Sequence, residues 1–222
     1  MRRRTLVGGA AWAVPAVVAV HPAASVAASL CSPITLNWNN QTTGSTFSST
    51  TLGTTLGTTT VTESLTSTVF TASNNNVVTY ATAGGYTGNR LRFAFDHTKG
   101  ATETVTFTFS QPVIGLTFTF YNIDASIANN FSDRIEMQTS GYTWTQPSGG
   151  QVAFDSATNS FYNPTDGVLA STSNLGNVTV DYGSTWLTSM TFRYYQGRYV
   201  SANPNTDVFV GLSNLTFTPQ NC

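Results

Sequence analysis

The sequence predicts an all-β protein, an antiparallel jelly-roll-like β-sandwich behind a cleavable leader, on three observations. Apolar and polar residues alternate with period two in one segment after another, and Gly, Pro and Asn punctuate those segments. The two cysteines, Cys31 and Cys222, stand at opposite ends of the processed chain. Successive side chains of a strand point to opposite faces, so period-two alternation gives each segment one face for a core and one for water. No window after the leader keeps helical spacing for more than about three turns.

The leader comes first. Arg2, Arg3 and Arg4 form a positive head, an apolar run extends from Leu6 to Val20, and small residues from Ala23 to Ser29 offer an A-x-A-like cleavage site. Those three parts in that order describe a secretory signal peptide, residues 1–28. A membrane span needs about 20 apolar residues, and this run is shorter with Pro15 inside it, so no transmembrane anchor is expected in the mature chain. The adjacent arginines before Thr5-Leu6 favour twin-arginine export, with the general secretory route open because the usual downstream Lys is missing. Leu30 before Cys31 does not resemble a lipoprotein cleavage site. The expected address is secreted, extracellular or associated with the cell envelope.

The rest of the chain, residues 29–222, is short enough for one domain. Only 9% of the 222 residues are charged, against 40% hydrophobic, where a soluble domain usually carries about 25% charged residues. Three of the nine basic residues lie in the leader and none of the ten acidic ones does, so the processed chain carries a net charge of −4. Binding phosphate backbones needs clustered Lys and Arg, so no nucleic-acid partner is expected.

The expected strands run in order. Ile34, Leu36 and Trp38 open the series; Leu91, Phe93 and Phe95 follow; then Val105, Phe107 and Phe109, and then Ile114, Leu116, Phe118 and Phe120. Ile135 and Met137, Val178 and Val180, Met190, Phe192 and Tyr194, and finally Leu215 and Phe217 complete them. Turns at Asp96–Gly100 and at Gln111-Pro112 make residues 90–121 a meander, expected at the centre of the core. Residues 39–60 are nearly all Thr, Ser, Gly and Asn, and read as an irregular loop pinned by Phe47, Leu52 and Leu56, or as a flexible linker. In an oxidising exterior the Cys31 and Cys222 pair reads as a disulfide, which requires the terminal strands to be neighbours.

Three kinds of chemistry can be sought. Asp124 and Asp133, with the amides of Asn122 and Asn130, put oxygen ligands on a loop at a strand end, as a hard cation such as calcium requires. The competing reading is turn chemistry, since Asp and Asn bond their own backbone in such loops. Tyr142 and Trp144 share one strand face, and Tyr194, Tyr195 and Tyr199 cluster near Arg193 and Arg198. Such rings can stack on a sugar, against the competing role of core packing. His97 beside Asp96 is the one histidine past the leader, and reads as an exposed turn residue rather than part of a hydrolytic triad.

The run Thr104–Val113, the run Leu116–Asp124, the later Asp133-Arg134-Ile135 and the closing Gly211–Thr218 resemble the central and last strands of exported β-sandwich surface proteins of actinobacteria. The leader residues Gly9-Ala10-Ala11-Trp12-Ala13-Val14-Pro15 resemble leaders of the same group. Asn122 stands where that pattern has the first Asp of Asp-Ile-Asp, which removes a charge from any calcium site. The resemblance implies an adhesive or envelope-associated role. The expectation is therefore a secreted, non-enzymatic surface protein; the alternatives are a carbohydrate-binding module, calcium-dependent or not, and a secreted hydrolase. The expected partners are polysaccharide or envelope components.

Overall fold

The computed structural model describes residues 31–53, 57–67, 76–95, 102–126, 131–197 and 208–221. The leader and the Asp96–Gly100 turn lie outside them. In chain order the strands begin with β1 (Ile34–Leu36), β2 (Ser49–Gly53), β3 (Thr58–Ser67), β4 (Val77–Ala83), β5 (Tyr86–Phe95), β6 (Thr102–Tyr121), β7 (Ala125–Ser126) and β8 (Phe131–Met137). They continue with β9 (Thr143–Thr145), β10 (Ala153–Asp155), β11 (Ser160–Tyr162), β12 (Val178–Asp181), β13 (Leu187–Gln196), β14 (Val208–Leu212) and β15 (Leu215–Pro219). Every pairing among them is antiparallel. The all-β class is as the alternation predicts.

The sheet curls around one core, and β6 is its axis. The first half of β6 lies between β3 and β13, with Glu63 opposite Phe107 and Met190 opposite the same residue. Its second half pairs with β12 on one side and with β14 and β15 on the other. The main path runs β10-β11-β8-β13-β6-β14-β5-β4. Alternation along β6 buries Val105, Phe107, Phe109 and Val113, then skips to Leu116, Phe118 and Phe120. That skip reverses the parity of the strand. It occurs at Gly115, whose φ of +66° a side chain would resist, and whose N–H donates to Gly183 O at 2.8 Å. Ile114, expected in the core, is consequently only half-buried.

Two expectations need correction. Residues 90–121 are not a meander, because β14 lies between β5 and β6, with Val210 opposite Phe93 and Leu212 opposite Phe120. Nor does Gln111-Pro112 end a strand. Pro112 lacks an N–H, but β13 is already out of register with β6 between Leu187 and Ser189, so the ladder has no donor to lose there. Gln111 instead pairs its side-chain amide with the backbone of Asn221, accepting at 2.7 Å and donating at 2.8 Å.

The Thr/Ser/Gly-rich stretch is also more ordered than a loop. Ser49–Gly53 pairs with Thr58–Thr62 as a hairpin, with residues 54–56 outside the described set. Phe47 pins the stretch as expected: it is buried edge-on against Trp38 at 5.0 Å. Trp38 itself sits in a short 3₁₀ turn, Trp38–Asn40, and donates its indole N–H to Ser213 O at 2.7 Å. Burial of a large apolar side chain contributes about 1.5–3 kcal/mol, so these two rings tie the N-terminal segment to the connection between β14 and β15. The terminal strands are neighbours, as the cysteine positions require: β1 pairs with β15, Ile34 opposite Phe217. Cys31 is disulfide-bonded, and Cys222 lies outside the described residues.

Candidate functional site

Past β6, Asn122 takes a left-handed φ of 67° and sends its amide N–H to Phe209 O at 3.3 Å. Ile123 then enters the core and Asp124 turns inward beside Asp133 of β8. Asp133 N–H donates to Asp124 O at 2.9 Å, and Asp124 N–H donates to Asp133 Oδ2 at 3.3 Å. The Tyr194 hydroxyl donates to Asp133 Oδ1 at 2.7 Å, and Leu169 N–H donates to Asp124 Oδ2 at 3.2 Å. Both carboxyls are buried, and burial raises the pKa of each; Asp133 is pushed further by the charge of Asp124. Like charges this close in a desolvated site disfavour the doubly ionised state.

Asp124 and Asp133 thus converge, as their loop position predicts. Asn122 does not join them, and Asn130 lies outside the described residues. Calcium takes six to eight oxygens. Among the described residues no three acidic, His or Cys side chains gather to hold a metal, and both carboxyls are occupied by N–H and O–H donors.

The pair also fastens a wall. Residues 163–169 lie across β7: Gly167 N–H donates to Ala125 O at 2.9 Å, Asn163 Oδ1 accepts from Thr165 N–H at 2.9 Å, and Leu169 is held by Asp124. Between this wall and the end of β8 is a cleft of about 180 Å³, lined by Ser132, Arg134, Tyr162, Asn163, Thr165 and Asp166 among others.

The cleft opens beside a ladder on the outer sheet face. Arg134 is flanked in register by Tyr162 of β11 and Tyr195 of β13. Its guanidinium carbon lies 4.4 Å from the Tyr162 ring centre, and its Nη1 meets Asp155 Oδ2 at 3.1 Å. Hydrogen bonds from Arg134 and Thr158 hold the Asp155 carboxyl below its usual range. One rung along, Glu136 pairs in register with Arg193 and forms an ion pair with it. Arg193 in turn stacks 4.7 Å from the Tyr195 ring. Gly197 leaves room for Arg134: a Cβ there would stand 2.5 Å from Arg134 Cδ.

Of the described rings proposed for ligand stacking, only Tyr195 is on this face. Tyr194 is buried and spends its hydroxyl on Asp133. Tyr142 and Trp144 pack half-buried against Phe161, at 6.2 and 5.4 Å, and Tyr142 donates its hydroxyl to Asn159 Oδ1. They extend the core instead of offering a platform. Tyr199, His97 and Asp96 lie outside the described residues. Sequence reading missed Arg134, Glu136 and Tyr162. Alternation around Ile135 does put Arg134 and Glu136 on the polar face; what it lacks is the register that sets Tyr162 and Tyr195 on either side of Arg134.

No protein-family model matches the chain, and no curated protein matches it. Among solved structures, the chain is similar to the adhesin domain of PrgB from Enterococcus faecalis, determined bound to DNA, at 11% identity and a TM-score of 0.34. The match covers 74% of this chain and 62% of that one, so the chain spans less than two thirds of that structure. A likeness of that degree carries no argument about function.

Proposed function

We propose that the protein is an exported, non-enzymatic surface domain, a jelly-roll-like sandwich with an adhesive role at the cell envelope. The observation that carries this reading is the outer-face ladder of Tyr162, Arg134, Tyr195, Arg193 and Glu136 beside the cleft. Tyr and Arg are the side chains that contribute most to contact surfaces, because each joins a flat apolar body to polar tips at low ordering cost. Export with cleavage of residues 1–28, by the twin-arginine route, is supported by the arginine head and small-residue exit of the leader. A Cys31–Cys222 clasp is supported by the pairing of β1 with β15. Among the described residues, no helix is long and apolar enough to cross a membrane.

A non-catalytic role is supported by how the acids are used. Asp124 and Asp133 are buried, Asp133 held by Tyr194 and Asp124 by Leu169, while Asp155 and Glu136 are each engaged by an arginine. A carbohydrate-binding module is the second reading, favoured by the position of Tyr195 next to the cleft. The test is adhesion of the purified protein to immobilised envelope preparations and polysaccharides. The double variant Arg193→Ser/Tyr195→Ser is expected to lose most of the adhesion while melting normally; undiminished adhesion would move the contact surface elsewhere.

A further inference from the structure

We infer that the protein self-associates as a two-fold dimer through the open edge of β4, with Thr79–Ala83 pairing antiparallel to the same segment of a second copy. This inference is independent of the adhesive reading. β4 ends the main path of the sheet and has β5 as its one strand neighbour among the described residues. Its first residues are covered. Thr46 bridges to Val77, Gly44 N–H donates to Val78 O at 2.7 Å, and Val78 N–H donates to Ser45 O at 3.0 Å. Two residues thus face one, in the manner of a β-bulge. A tight turn over Thr42–Ser45, with Gly44 at a φ of +85°, then ends that cover.

The bonds of Val78 also fix where its neighbours point. Backbone groups along an antiparallel strand face the two flanking sides in alternation. Val78 directs its N–H and C=O away from β5, so Tyr80 and Thr82 do the same. No described residue bonds those outward groups. Tyr80 is 64% exposed, more than any other large apolar side chain among the described residues.

This edge is complementary to itself. With the two-fold axis at Ala81, Tyr80 lies opposite the second copy's Thr82 and exchanges both backbone bonds with it. The symmetric pair repeats them, and every outward group of both copies is used. Ala81 faces its own copy as a non-hydrogen-bonded pair, about 4.5 Å apart between Cα atoms. The ends match as well. Past Ala83 the chain folds back through Gly84 and Gly85, both at positive φ as a two-residue hairpin requires. It therefore leaves the strand line where the second copy's Gly44 and Ser45 stand against Val78.

Charge and composition select this edge. A charged side chain near a two-fold axis meets its own copy, and edge strands are commonly protected by Lys, Pro or an inward charge. Val77–Ala83 has no charged residue, no Pro and no Gly. At the other end of the path, β10 is three residues long and carries Asp155. β2 is open too, but it ends in Gly53 and leaves no large apolar side chain exposed. A two-fold contact uses each copy's edge once, so association closes at the dimer. Five residues from each copy bury less than a standard interface of about 1,600 Å², and the dimer is expected to be weak and concentration-dependent.

Sedimentation velocity of the purified protein from roughly 1 to 200 μM tests the inference. A shift from monomer towards dimer is expected over that range. Thr82→Pro removes one outward N–H without touching the bonds to β5, and is expected to weaken the dimer about tenfold or more while melting normally. Ala81→Cys leaves the backbone intact and is expected to give a disulfide-linked dimer on mild oxidation, since a facing pair lies within disulfide reach. Thr51→Cys on β2 is the control and is expected to stay monomeric under the same oxidation. A monomer at every concentration would overturn the inference, and open-ended oligomers would overturn its closed symmetry. A dimer that persists in Thr82→Pro, or that links through Thr51→Cys instead of Ala81→Cys, would move the contact off β4. Should Thr82→Pro fail to fold, the cross-linking pair decides alone.

Discussion

Buried acids give single residues an unusual weight in this charge-poor chain. Glu63 on β3 is buried, its carboxyl oxygens meet no donor within hydrogen-bond distance among the described residues, and burial pushes its pKa up to about 8 against a smaller opposing pull from the nearby Asn76. A carboxyl whose folded pKa is raised binds its proton more tightly in the native state. The stability it contributes is full below the unfolded value near 4.5 and is lost as pH rises through about 8. The loss can reach about 1.4 kcal/mol per pH unit over that interval. Glu63→Gln, which cannot ionise, is expected to be more stable than the parent at pH 8 by a few kcal/mol, with the gap closing near pH 4.5. Thermal melts across that range check it; a constant gap would mean that Glu63 is already charged when folded. The raised Asp124 and Asp133 act in the same direction.

Among the elements, β6 carries most of the architecture, and the paired β7 and β8 place the two buried aspartates. A Cβ at Gly115 meets nothing nearer than Gly183 O at 3.9 Å, so Gly115→Ala tests backbone strain alone. With φ at +66°, the expected cost is about 1–2 kcal/mol. Urea melts measure it, and no loss would mean that the bulge relaxes. At those aspartates, calcium titration separates carboxyls held by protein donors from cation ligands. Carboxyls already engaged by Tyr194 and Leu169 predict no rise in melting temperature with millimolar calcium; a rise of several degrees, abolished by Asp133→Asn, would make them ligands. Strand existence was legible because alternation is local. Val105, Phe107, Phe109, Val178, Val180 and Phe192 are all buried as their spacing predicts. The parity flip at Gly115 and the insertion of β14 between β5 and β6 were not legible, because one depends on a single dihedral and the other on pairing across about a hundred residues. For the same reason the Asp124–Asp133 approach was visible nine residues apart, while the Tyr162–Arg134–Tyr195 row was not.

At the scale of the molecule, the two ends close the fold. Cys31 is disulfide-bonded; with Cys222 as its proposed partner, the cross-link removes denatured-state entropy worth up to about 5 kcal/mol. Cys31→Ser is expected to lower the melting temperature strongly while leaving the β-type circular-dichroism spectrum intact at low temperature. An unchanged melt would show that β1–β15 pairing and the Trp38 contacts suffice. The position of β6 has a further consequence. Its flanking strands, β3 on one side of the sequence and β12 to β15 on the other, are not all available until synthesis is nearly complete. A nascent chain leaving the ribosome therefore carries a long aromatic ribbon that β3 can cover along one edge of its first half, with its other edges bare. Acquisition of the native state is deferred to release and proceeds over the slow timescales of non-local β topologies.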